Sequence, residues 1–114
     1  MRLLALSVPL LMFSACSNAL TCIGNVSKID TLYTGIVRVT SSSGLPSKAY
    51  LCNTNGSWGG ISSDTCKTWI SYAQVAQTSG QELEITYSGV TETDCATLPI
   101  NSASYVPYIV SLSK

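Results

Sequence analysis

Five cysteines stand at positions 16, 22, 52, 66 and 95 of a 114-residue chain, and no other feature limits the fold as tightly. Cys16 falls in an apolar N-terminal stretch, which leaves an even set of four: Cys22, Cys52, Cys66 and Cys95. Four cysteines in a small exported domain read as two disulfides. Three pairings are open, and we prefer Cys22 with Cys95 and Cys52 with Cys66. A metal site is the rival reading, but the gaps of 30, 14 and 29 residues contain no Cys-x-x-Cys step, so no metal is expected.

Export is read from the first nineteen residues. Met1-Arg2 is a short basic start, and Leu3 to Phe13 is apolar apart from Ser7 and Pro9. Such a run is too short to span a bilayer, which takes about 20 residues, and it has the layout of a secretory signal peptide. Two cleavage readings stay open. Ser17-Asn18-Ala19 offers small residues for cleavage ahead of Leu20, while Phe13-Ser14-Ala15-Cys16 resembles a bacterial lipobox, with Cys16 as a lipidated first residue. We take residues 1–19 as signal peptide and 20–114 as a single domain, secreted or periplasmic, with an outer-membrane lipoprotein as the alternative.

Charge and residue types then exclude several functions. The whole chain carries six basic and six acidic side chains. Residues 20–114 keep five bases against six acids, a net charge of −1, which lacks the positive potential needed to hold nucleic acid or an anionic membrane. The chain has no histidine, so Ser-His-Asp and Cys-His catalysis and His-containing zinc sites are ruled out. Glu82 and Glu84, two apart, have a spacing that a carboxylate pair of a glycosidase would tolerate. The same alternation is the ordinary solvent face of a strand, and we expect no catalytic residues and no cofactor.

The residue pattern predicts the order β-β-β-α-β-β. Cys22 to Val26 reads as a first strand and Thr31 to Thr40 as a second, with Tyr33, Val37 and Val39 on one side. After the turn cluster Ser41 to Pro46, Lys48 to Asn53 returns as a third strand. Thr54 to Gly60, with three glycines and an Asn-Gly step, is a loop carrying Trp58. Ser62, Ser63 and Asp64 offer helix N-caps, Cys66, Trp69, Ile70, Ala73 and Ala76 follow at helical spacing, and Gly80 ends a helix of about 14 residues. Its other face, Lys67, Thr68, Ser71, Gln74 and Thr78, is polar and nearly uncharged. Glu82 to Tyr87 alternates as a fourth strand. Tyr105 to Leu112 closes the chain as a fifth, and Pro107 places its start at an edge or bulge.

Five strands with one helix between strands 3 and 4 is the order of a mainly β, OB-fold-like Greek-key barrel. The residues also resemble a family. Val26-Ser27-Lys28-Ile29-Asp30-Thr31, Cys52, the Trp58 loop, the Trp69 helix and Ser79-Gly80-Gln81-Glu82-Leu83-Glu84-Ile85 are similar to the B subunits of subtilase-cytotoxin and typhoid-toxin type. That resemblance implies an exported, non-catalytic OB-fold subunit that forms a homopentamer, binds a cell-surface glycan and carries an enzymatic A subunit. In such a ring the uncharged helix face would line a pore. The segment ahead of the first strand is only Leu20-Thr21, so no glycan-contacting residue is carried over from the family.

The candidate ligand contacts therefore come from the residues themselves. Asn55, Ser57 and Trp58 are chosen because neighbouring glycines let backbone and ring approach a sugar closely, and sugar rings stack on Trp. Trp69 is assigned to the core, and Tyr33, Tyr50, Tyr87, Tyr105 and Tyr108 mainly to barrel strands. Two readings from other classes stand beside the toxin subunit: an envelope lipoprotein lipidated at Cys16 that acts as an interaction or exclusion factor, and a small disulfide-stabilised protein inhibitor presenting the Trp58 loop.

Overall fold

The computed structural model describes residues 18–98 and 105–113, so Cys16 and the apolar leader lie outside the described residues. Among the described residues, six strands and one α-helix follow one another: β1 (Asn18–Gly24), β2 (Lys28–Thr31), β3 (Ile36–Thr40), β4 (Lys48–Asn53), α1 (Ser63–Ser79), β5 (Glu82–Val90) and β6 (Pro107–Ser113). A three-residue 3-10 turn, Cys95–Thr97, interrupts the last loop.

The strands form two separate antiparallel sheets, ordered β2-β3-β4 and β1-β5-β6, and these do not close into a barrel. The expected five-stranded Greek-key barrel is therefore corrected on two counts. The segment Thr31 to Thr40 is not one strand but the last residue of β2, a hairpin turn and β3, and the helix follows the fourth strand instead of the third. A turn at Leu32 to Gly35 breaks the segment: the Leu32 amide donates to Ile36 O at 2.8 Å and the Gly35 amide to Leu32 O at 2.8 Å. Gly35 sits at φ 96°, a conformation that costs glycine little and other residues more. The first strand, moreover, pairs with β5, far along the chain, through Thr21 with Thr86 and Cys22 with Ile85.

Both sheets carry a bulge. Arg38 faces Tyr50 while Val37 faces Cys52, so Leu51 is an extra residue in β4. Thr86 faces Ile109 while Tyr87 faces Pro107, so Tyr108 is extra in β6. Pro107 stands first in a strand at a sheet edge, where its missing N–H interrupts no ladder.

The helix forms where local signals agree. The Ser62 hydroxyl accepts from the Thr65 amide at 3.2 Å, and Gly80, at φ 80°, returns its amide to Ala76 O. Cys66, Trp69, Ala73 and Ala76 make up its buried stripe and meet Val37, Val39, Leu51, Leu83, Ile85 and Val110 from the two sheets. Tyr87 joins this core, and burial pushes its phenol well above the usual tyrosine range. The disulfides join Cys22 to Cys95 and Cys52 to Cys66, the pairing preferred from the sequence.

Candidate functional site

The outer face of the β2-β3-β4 sheet carries a row of polar and aromatic side chains that ends at the Trp58 loop. Cross-strand register sets Asp30 on β2 opposite Arg38 on β3, and Arg38 opposite Tyr50 on β4. The Arg38 guanidinium grips the Asp30 carboxylate with two bonds, Nε to Oδ1 at 3.1 Å and Nη2 to Oδ2 at 2.7 Å. This fork holds the Asp30 carboxyl below the ordinary carboxylate range and keeps Arg38 more firmly protonated than usual. Lys28 reaches the same carboxylate from 4.0 Å. Beyond Arg38, Tyr50 meets Trp58 edge to face, with ring centroids 6.3 Å apart and planes at 62°.

Trp58 is held by a small hairpin of its own. Its amide and carbonyl exchange hydrogen bonds of 3.0 Å with those of Ile61, and Gly59 and Gly60 between them have φ 59° and 85°. Val106 packs directly over Gly59. The loop is also tied at its base, since the Cys52–Cys66 bridge joins the end of β4 to the first turn of α1 on either side of it.

The three residues singled out from the sequence have different places. Trp58 is half-buried against Tyr50, which leaves part of its ring open. Ser57 is exposed beside it. Asn55 is exposed but is used as a brace: its Nδ2 donates to Thr34 O at 3.1 Å, and its amide donates to Asn53 Oδ1 at 2.8 Å. Thr54 adds to the brace, with its amide and hydroxyl both donating to Gly35 O, at 2.9 and 3.1 Å.

These bonds fasten the Trp58 loop to the turn of the β2-β3 hairpin, and at that turn stands a residue sequence reasoning assigned to a strand. Tyr33 is 99% exposed. A run of alternating residues had put it on the same side as Val37 and Val39, but the turn at Gly35 resets the alternation and leaves the ring in solvent. The remaining signal in the sequence was the glycine two residues later. Tyr108 is likewise exposed, at the β6 bulge, and not within a barrel.

The rest of the chemistry lies elsewhere. Glu82 and Glu84 point outward from β5 in the other sheet, with Glu84 opposite Ile23 and Ser111. Tyr105 donates to Glu92 Oε2 at 3.2 Å, and that bond raises its phenol pKa. No cluster of three or more metal-ligating side chains occurs among the described residues, and no helix among them is long and apolar enough to cross a membrane. Compared with family models, curated proteins and solved structures, the chain matches none.

Proposed function

We propose that this chain is an exported, non-catalytic carbohydrate-binding protein whose ligand docks at the Tyr33 turn and the Trp58 loop. One observation carries the reading. A tyrosine ring wholly in solvent sits on a turn that Asn55 and Thr54 fix to the loop bearing Trp58. A turn that is already braced loses little backbone entropy when a sugar ring stacks on the aromatic it carries. The Asp30–Arg38 fork on the same sheet supplies polar groups for sugar hydroxyls. The two disulfides fit the oxidising compartment this reading requires.

In its fuller form the reading is a toxin B subunit: a cell-surface glycan as ligand, an enzymatic A subunit as cargo, and a homopentamer that multiplies weak contacts. Its support is the set of short matches such as Ile29-Asp30-Thr31 and Ser79-Gly80-Gln81. The test is a glycan array probed with the wild type and with Tyr33→Ala and Trp58→Ala. Binding by the wild type that both substitutions weaken is expected. An array without a bound glycan, or binding indifferent to both changes, overturns the proposal.

A second reading, an envelope lipoprotein lipidated at Cys16, is favoured by a separate observation. β1 begins at Asn18, which pairs with Val90, so residues 18 and 19 take part in the sheet. Cleavage ahead of Cys16 keeps that strand whole, whereas cleavage after Ala19 shortens it. The intact mass of the exported protein decides between the two.

A further inference from the structure

Two disulfides hold this chain, and they differ in access. Cys52 and Cys66 are both 0% exposed, sealed between the end of β4 and the first turn of α1. Cys22 is 1% exposed on the inner face of β1, but its partner Cys95 is only half-buried and opens the 3-10 turn outside both sheets. The Cys95 Sγ lies 3.7 Å from Thr21 O. It sits along β1, which among the described residues pairs with a neighbour on one side alone, β5. A thiolate must reach one sulfur of a disulfide to open it, so the rate follows access to that sulfur.

We propose that Cys22–Cys95 is a latch sensitive to dithiol reductants, opening while Cys52–Cys66 stays closed. The first thiolate of the reductant attacks Cys95 Sγ and the S–S bond breaks. Cys22 leaves as a thiolate and takes up a proton. The second thiol of the reductant, deprotonated, then displaces Cys95 from the mixed disulfide, and Cys95 is protonated in turn. The protein gains two thiols and the reductant becomes its own disulfide, so two electrons have moved.

Opening the latch frees the segment from Thr91 to Leu98 from β1, leaving it tied by the buried Leu98 side chain and by the Tyr105–Glu92 bond. It also uncovers the side of β1 at the Thr21 carbonyl. An uncovered strand edge is a surface on which another chain can pair. The tied base of the Trp58 loop is untouched, because the bridge there is the sealed one. The latch stands whatever the Tyr33 end binds.

Graded dithiothreitol on the folded full chain tests it, with any Cys16 thiol alkylated beforehand, iodoacetamide quenching and peptide mapping. The first reduced species is expected to carry two new alkyl groups, on Cys22 and Cys95, with Cys52 and Cys66 still joined. In that species amide hydrogen exchange rises at Thr91 to Leu98 and along β1, and not in α1. Alkylation of Cys52 and Cys66 first, or passage to four alkyl groups without a two-alkyl species, overturns the proposal. So does a two-alkyl species whose exchange at Thr91 to Leu98 is unchanged.

Discussion

The backbones of Gly24 and Gly44 lie against each other where the two sheets meet, with no space for a side chain on either. A Cβ on Gly24 would strike the carbonyl oxygen of Ser43, and one on Gly44 would strike that of Ile23. Gly24 ends β1 in one sheet, and Gly44 belongs to the turn joining β3 to β4 in the other. Asn25 completes the joint: its amide donates to Ser43 O, and its Oδ1 accepts from the amides of Ser42 and Ser43 and from the Ser41 hydroxyl.

Substitution at either glycine should therefore force main chain against main chain. Gly24→Ala and Gly44→Ala are each expected to lower stability by about 2–3 kcal/mol, the range of steric overpacking. Gly44 at φ 94° adds backbone strain to the clash. Gly56→Ala is the control, since a Cβ there meets nothing within 4 Å, and it should shift stability by less than about 1 kcal/mol. Urea midpoints of the three variants against wild type check the contrast.

What could be read from the sequence follows from how local each signal is. α1 was legible because Ser62, Gly80 and the stripe Cys66, Trp69, Ala73 and Ala76 lie within one short segment, and β5 because Leu83, Ile85 and Tyr87 alternate with polar neighbours. The β2-β3 turn was not, since Leu32, Tyr33 and Ile36 keep the apolar density of a strand across it, and only Gly35 marks the break. The pairing of β1 with β5 is set by contacts between distant segments, which no local pattern records. Both mattered for the site. A barrel hides Tyr33 among strand residues, whereas a hairpin tip presents it.

The Ser62 cap gives a prediction confined to α1. Its Oγ is the acceptor for the Thr65 amide and also bonds the Thr65 hydroxyl at 3.1 Å. Ser62→Ala leaves that amide without its partner at the start of the helix and should cost about 1 kcal/mol. Ser62→Asp restores an acceptor and adds a negative charge at the helix N-terminus, so it should recover most of the loss. Chemical denaturation of both variants measures the difference.

The Asp30–Arg38 fork makes part of the stability depend on acid. Its folded carboxyl titrates below the ordinary 3.8, so on acidification the unfolded chain takes up the proton first. The contribution is fully present above the ordinary value and is lost as pH falls through the lower, folded one. Wild type should therefore lose its advantage over Asp30→Asn as pH falls below the ordinary carboxylate range, with a constant gap above it. Thermal midpoints across the range show it; a gap that widens on acidification contradicts the assignment.

On the proposed reading of an exported chain, its two starts, Leu20 and Cys16, should differ in stability. Asn18 pairs with Val90 at the far end of β1, and Leu20 with Tyr87 beyond a register shift. A chain beginning at Leu20 loses the Asn18 pair, one beginning at Cys16 keeps it, and backbone hydrogen bonds are worth about 1 kcal/mol each. The shorter chain should unfold at lower urea, with faster amide exchange at Val90 than in the longer one.

Stability and binding should separate cleanly at the aromatic end. Tyr33 is almost entirely in solvent, so Tyr33→Ala removes little buried surface and should change stability by less than about 0.5 kcal/mol. Trp58 is half-buried and packed edge-on against Tyr50, so Trp58→Ala should cost about 1–2 kcal/mol through lost contact. Asn55→Ala removes the donor to Thr34 O and loosens the tie between turn and loop, at about 1 kcal/mol. On the proposed sugar-binding reading, glycan affinity should fall in all three, but for different reasons. In Tyr33→Ala the stacking ring is gone from an intact protein. In Asn55→Ala both rings remain and only their mounting is lost, so the loss should be smaller and should shrink as temperature is lowered. Equal affinity in wild type and Asn55→Ala at every temperature would mean that the stiffness of the mount contributes nothing, and that the rings bind without the brace.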